Sequence, residues 1–210
     1  MAQIKRKMNI AVMVSGGGTN LQALIDSERE GKIKNGEIRL VISNKQEAFA
    51  LERAAAAGIP TAVVVKKDCG SQEAFEDAIM QKLEEYEIDV IVLAGFLAIL
   101  SERFTSAYPR RIINVHPSLI PAFCGQGYYG LRVHEAALAK GVKVTGATVH
   151  FVNEIPDGGE IIMQKSVRVC RSDTPESLQA RVMHQAEWVL LPRAVEQVCA
   201  DLRIKKRKRR

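Results

Sequence analysis

Asn114 and His116 stand two residues apart in Arg111-Ile112-Ile113-Asn114-Val115-His116-Pro117-Ser118. Ile112, Ile113 and Val115 make this a short buried strand, and Pro117 ends it by withholding a ladder donor. Side chains alternate faces along a strand, so the amide and the imidazole point the same way. Polar groups in an apolar strand are either capped by backbone or used in a site. An imidazole titrating near neutral pH moves a proton in either direction, and an amide together with an imidazolium stabilises an oxyanion. Asp157 lies in the turn Asn153-Glu154-Ile155-Pro156-Asp157-Gly158-Gly159. Its carboxylate near a histidine would orient the ring and raise its pKa, although a turn before two glycines uses an aspartate in any case. G-x-S-x-G is absent, and Ser118 follows His116 too closely to align for attack. The nucleophile is therefore expected from the substrate, and the set suits a direct acyl-type transfer. His116, His134 and Asp157 lack metal-ligand spacing, so no metal is expected.

Ser15-Gly16-Gly17-Gly18-Thr19-Asn20 is a second constellation. It follows the apolar stretch 9–15 and precedes Leu21, Leu24 and Ile25 at helical spacing. Strand, glycine loop and helix together present backbone N–H groups to an anion, and the glycines let it come close. A P-loop would need Gly-Lys-Ser/Thr, which is missing. In a dinucleotide fingerprint Leu21 stands where the third glycine belongs, and the next strand ends in Asn44 rather than an acid. A phosphate on a small molecule fits better, with Thr19 and Asn20 as added donors. A ligand-free tight turn would use the same glycines.

These residues need strands to carry them, and the chain supplies an alternation. Strands are predicted over 9–15, 37–43, 61–65, 90–94, 111–118, 142–152 and 161–169, with helices over 49–57, 72–86 and 131–140 among others. Thr148 and His150 share one face of the strand 142–152. The strand 161–169 follows too closely for a crossover and should run antiparallel. The fold class is α/β: a single doubly wound, mostly parallel, Rossmann-like sheet with an antiparallel C-terminal strand. The glycine loop and Asn114–Ser118 both follow carboxyl ends of strands, where such sheets bind ligands. Gly95–Leu100 is an apolar loop that either lines a ligand slot or packs under the helix capped by Ser101. Residues 117–130, with Gly125, Gly127 and Gly130, read as a mobile loop. Asp173 or Thr174 caps the last helix, which Pro192 should kink.

A length of 210 residues suits one domain, taken as residues 1–202. The net charge of +6 sits in the tail: residues 203–210 hold seven cations, and without them 23 Lys and Arg face 24 Asp and Glu. The tail is expected to be disordered, and with no basic face elsewhere nucleic acid is not expected as a partner. Lys5, Arg6 and Lys7 precede no apolar leader segment, no stretch is long enough for a membrane helix, and Cys69, Cys124, Cys170 and Cys199 form no C-x-x-C. A cytoplasmic protein without membrane partners is expected.

With its motifs assembled, the chain resembles phosphoribosylglycinamide formyltransferase, the folate-dependent enzyme of purine synthesis. The resemblance rests on Ser15–Gln22, Val92-Leu93-Ala94-Gly95-Phe96, Asn114–Leu119, Gly146-Ala147-Thr148-Val149-His150-Phe151-Val152 and Asp157-Gly158-Gly159. It implies transfer of the formyl group of 10-formyltetrahydrofolate to the amine of 5-phosphoribosylglycinamide, by a monomer or homodimer and without metal. It implies His116 as acid/base, Asn114 as oxyanion and formyl partner, and Asp157 as the group raising the histidine's pKa. Gly18, Thr19 and Asn20 would hold the substrate phosphate. Leu97, Ala98, Ile99, Leu100, Asn114, Asn153, Glu154, Ile155, Pro156 and Asp157 would line the folate pocket. Glu187 would contact the glycinamide, given one inserted residue upstream. Gln72 and Ala98 stand where some relatives carry arginines, the loop 117–130 is longer than usual, and the basic tail has no family counterpart. A 10-formyltetrahydrofolate hydrolase, using the same three residues with water as nucleophile, is the alternative.

Overall fold

Met8–Val14 is apolar on both faces and forms β1 of the computed structural model, which describes residues 6–208. Lys5 and the last two arginines of the tail lie outside the described residues. β1 is flanked by β2 (Gly36–Ser43) and β4 (Val90–Leu93), with β3 (Thr61–Val63) beyond β2, and all three pairings are parallel. Strands buried on both sides need continuous apolar sequence. Ile10, Val12, Leu40, Val41 and Val92 accordingly have no exposed surface. The crossovers carry α1 (Thr19–Arg29), α2 (Phe49–Ala56), a short α3 (Lys66–Cys69) and α4 (Gln72–Glu85). α4 starts where the Ser71 side chain accepts from the Ala74 N–H and buries Phe75, Ile79 and Leu83 at helical spacing.

The second half opens with α5 (Glu102–Ala107), capped by Ser101 as the sequence predicts. β5 (Ile112–His116), α6 (Leu131–Lys140), β6 (Val144–Phe151), β7 (Ile161–Arg168) and α7 (Pro175–Val182) follow. β6 is antiparallel to both β5 and β7. The seven strands form one mixed sheet in the order β3-β2-β1-β4-β5-β6-β7, the fold class read from the alternation. Contacts group the described residues into two compact units, one of those up to Ala98 together with those from Val195 onward, the other Ile99–Ala194.

α7 passes into a π-helical turn at Met183–Glu187, and α8 (Trp188–Lys208) then runs through Pro192. Residues 203–208, expected as disordered, continue α8. Arg203 hydrogen-bonds the Asn35 side chain and Lys206 pairs with Asp89, which ties the helix end to the loops preceding β2 and β4. Asn35 is itself held by Glu196 at 2.6 Å.

Candidate active site

β5 and β6 bring the polar residues together by register. Asn114 sits opposite His150, and His116 opposite Thr148, so all four side chains project from one face of this antiparallel pair. The turn after β6 then returns Asp157 to them. It can do so only with glycine at 159: a Cβ there would lie 1.7 Å from the Phe151 carbonyl oxygen. Asp157 itself takes a left-handed backbone (φ 56°), a strained conformation of the kind that clusters at functional sites.

Asp157 is shared by two histidines. Its Oδ2 lies 3.4 Å from His116 Nδ1 and its Oδ1 lies 3.4 Å from His150 Nε2. The Gly125 N–H donates to Oδ2 at 2.9 Å. Asn114 Nδ2 lies 3.2 Å from His150 Nε2, and His150 Nδ1 lies 2.8 Å from the Phe151 carbonyl oxygen. On the other side of the His116 ring, Nε2 lies 2.8 Å from the Phe123 carbonyl oxygen. Both ring nitrogens of His116 therefore face acceptors, an arrangement that suits a protonated ring. Burial opposes it and wins, so the His116 imidazole stays below its ordinary pKa even with Asp157 and the Phe123 carbonyl raising it. The Asp157 carboxylate favours the charged ring by less than burial disfavours it. Burial also pushes the Asp157 carboxyl up, and its contacts with His150, His116 and the Gly125 N–H outweigh that and hold it below the usual range.

The loop 117–130 is tied down at its start. The Thr148 hydroxyl donates to the Ser118 carbonyl (2.7 Å) and accepts from the Ile120 N–H and from Gln164 Nε2 (3.0 Å each). Ser118 Oγ donates to the Ala122 carbonyl at 2.5 Å. Phe123 and Gly125 reach His116 and Asp157 from this knot. His150, Thr148, the Phe123 carbonyl and the Gly125 N–H were not among the site residues expected from sequence. The signal available was Thr148 and His150, two polar residues on one face of an apolar strand.

The glycine loop is held between α1 and α2. Gly18 caps α1 at φ 71°, and a Cβ there would meet Ala50 Cβ at 2.6 Å. The Gly16 carbonyl accepts from the Ala50 N–H, and the Gly17 carbonyl from Arg53 Nε. These carbonyls are thus engaged by α2, and α1 begins at Thr19 and Asn20 with no side chain from Gly18's position capping its N–H groups. A cavity of about 330 Å³ lined by Gln22, Phe49, Glu52 and Arg53 lies between α1 and α2, and no site residue expected from sequence lines it.

The remaining expected residues are placed as follows. After β4, Leu97 and Ile99 are exposed, Ala98 is half-buried and Leu100 is buried. In the turn after β6, Asn153 Oδ1 accepts from the Ile155 N–H, and Glu154, Ile155 and Pro156 are exposed. Glu187 is buried on the π-turn, which packs on β6 and β7. Among the described residues, no group of three or more His, Cys, Asp or Glu is placed to hold a metal, and no helix is long and apolar enough to cross a membrane.

Comparisons with known proteins show the family. A protein-family model described as Formyl transferase matches residues 8–195. Phosphoribosylglycinamide formyltransferase of Escherichia coli is 43% identical over 198 residues, covering 94% of this chain and 90% of that protein. The human trifunctional purine biosynthetic protein adenosine-3 is 45% identical over 196 residues, but the chain spans only 19% of it. The crystal structure of glycinamide ribonucleotide transformylase 1 from Symbiobacterium toebii superposes with a TM-score of 0.87 at 39% identity, covering 93% of this chain and 89% of that one. The chain belongs to the formyl transferase family, as a transferase homologous to the phosphoribosylglycinamide formyltransferases.

Proposed function

We propose that the protein transfers the formyl group of 10-formyltetrahydrofolate to the amine of 5-phosphoribosylglycinamide in purine synthesis. The observation that carries the chemistry is the single carboxylate of Asp157 set against His116 Nδ1 at 3.4 Å, with Asn114 on the same face. The glycinamide nitrogen attacks the formyl carbon. His116 takes the proton that the attacking amine gives up, and the developing oxyanion is met by the Asn114 amide and the imidazolium so formed. As the tetrahedral intermediate collapses, the bond from carbon to the folate nitrogen breaks. The proton lost by the amine passes through His116 to that nitrogen. Asp157 stabilises the imidazolium while it carries the proton.

The N-terminus of α1, with Gly18, Thr19 and Asn20, is the site for the substrate phosphate, since its N–H groups and helix dipole favour an anion. The exposed apolar side chains of Leu97, Ile99 and Ile155 suit the flat faces of a pterin, with Ala98, Leu100, Asn153, Glu154 and Pro156 beside them in sequence. Glu187 is the candidate for the glycinamide. The four free cysteines suit a reducing, cytoplasmic setting.

The test mixes the protein with both substrates and follows tetrahydrofolate release and formylglycinamide together. Equal yields that require phosphoribosylglycinamide are expected. Folate release that ignores the glycinamide would replace this reading with the hydrolase.

A further inference from the structure

His150 is buried at 2% exposure, and its polar neighbours fix what its ring can do. The Phe151 carbonyl only accepts, so His150 Nδ1, 2.8 Å away, carries a hydrogen. What remains open is Nε2, which faces Asn114 Nδ2 at 3.2 Å and Asp157 Oδ1 at 3.4 Å. The charged and titratable groups facing this ring are Asp157, on the turn after β6, and His116, on β5. Asp157 offers one negative charge to two imidazoles, and each histidine's charge opposes the other's. Of the two groups at Nε2 the Asn114 amide nitrogen is the nearer and can only donate, so with hydrogen on Nδ1 the Nε2 lone pair is its acceptor.

We propose that His150 is a positioning residue that sets the orientation of the Asn114 amide. Its Nε2 accepts one N–H of the Asn114 amide. That fixes which end of the amide is nitrogen and aims the second N–H of the same group at the oxyanion. A proton added to Nε2 reverses the arrangement: Nε2–H donates to Asp157 Oδ1, and Asn114 must turn its carbonyl oxygen towards the ring. The oxyanion then loses its amide donor. The inference rests on Asn114 acting as that donor, as proposed above.

The first arm of the test reads the tautomer directly, by long-range nitrogen-15 NMR of the full chain at pH 8. His150 is expected to show hydrogen on Nδ1 and a bare Nε2; hydrogen on Nε2 overturns the proposal. The second arm compares His150→Leu, which cannot accept, with His150→Gln, whose side-chain oxygen can. His150→Leu should lower kcat by about tenfold or more, in the direction of losing one oxyanion donor, with KM for both substrates nearly unchanged. His150→Gln should recover most of that loss. Equal losses in the two variants, or a change in KM alone, would mean that His150 merely fills space. Circular dichroism checks that each variant folds. On an Asn114→Ala background His150→Leu should cost nothing further, and additive losses overturn the coupling. Asn114→Ala with unchanged kcat would instead remove the oxyanion reading itself, and the tautomer measurement tells that failure from this one.

Discussion

At the scale of residues, His116 and Asp157 titrate against each other, and the sign of their coupling can be worked out. Asp157 raises the His116 pKa and burial lowers it, with burial the larger. In Asp157→Asn the raising influence is gone, the imidazolium loses its counter-charge, and the His116 pKa falls further. The acid limb of the pH–rate profile should therefore move to lower pH while the plateau falls by about 10²- to 10⁴-fold, the usual worth of general acid–base catalysis. A limb that moves upward would mean that Asp157 is not ionised beside His116. His116→Ala should abolish transfer while circular dichroism shows the fold intact. The Asn114–His116 pair was legible in sequence because strand periodicity is local, two residues apart. His150 was not, because its part depends on the antiparallel register that sets it opposite Asn114 across 36 residues.

At the scale of elements, the loop 117–130 depends on one hydroxyl. Thr148 has no exposed surface, and its Oγ1 joins Ser118, Ile120 and Gln164. Thr148→Val keeps the shape and leaves the Ser118 carbonyl and the Ile120 N–H without their partner. Each buried group so orphaned costs about 1–3 kcal/mol, so for the two a loss of about 2 kcal/mol or more in urea unfolding is expected. Transfer should slow as well, since Phe123 and Gly125 reach the His116–Asp157 pair from this knot. Unchanged stability together with an unchanged rate would show that the loop holds itself. Which elements sequence revealed follows the same division between local and distant causes. Thr174 and Pro175 announced the start of α7, where a capping box indeed forms with Ser177. The π-turn at Met183–Glu187 left only an indirect mark, the one residue too many before Pro192. A π-turn absorbs one extra residue without ending the helix, which is how α7 and α8 remain joined there. The helical tail left no mark, because Asn35 and Asp89, which hold it, lie far away in sequence.

At the scale of the whole molecule, charge and acid stability are set by few groups. Deleting residues 203–210 removes the excess of positive charge and two part-buried contacts, to Asn35 and to the buried Asp89. Turnover should be unchanged, and a large loss would make the tail part of the enzyme. Acid stability has a sharper handle in His134. The residue has no exposed surface, and neither ring nitrogen has a hydrogen-bond partner among the described residues. Burial, helped by nearby His116, pushes its pKa from 6.5 down to about 4. Between these values the unfolded chain binds a proton that the folded chain refuses, so stability is intact above the unfolded pKa and falls as pH falls. From pH 7.5 to pH 5 the loss from this group alone is about 2 kcal/mol by linkage. His134→Leu removes both orphan nitrogens at similar volume. It should be at least as stable as the parent at pH 7.5, and its urea midpoint should fall less on acidification, by the equivalent of about 2 kcal/mol. Parallel pH dependence in the two proteins would show that His134 accepts its proton in the folded state, with a partner that compensates for its burial.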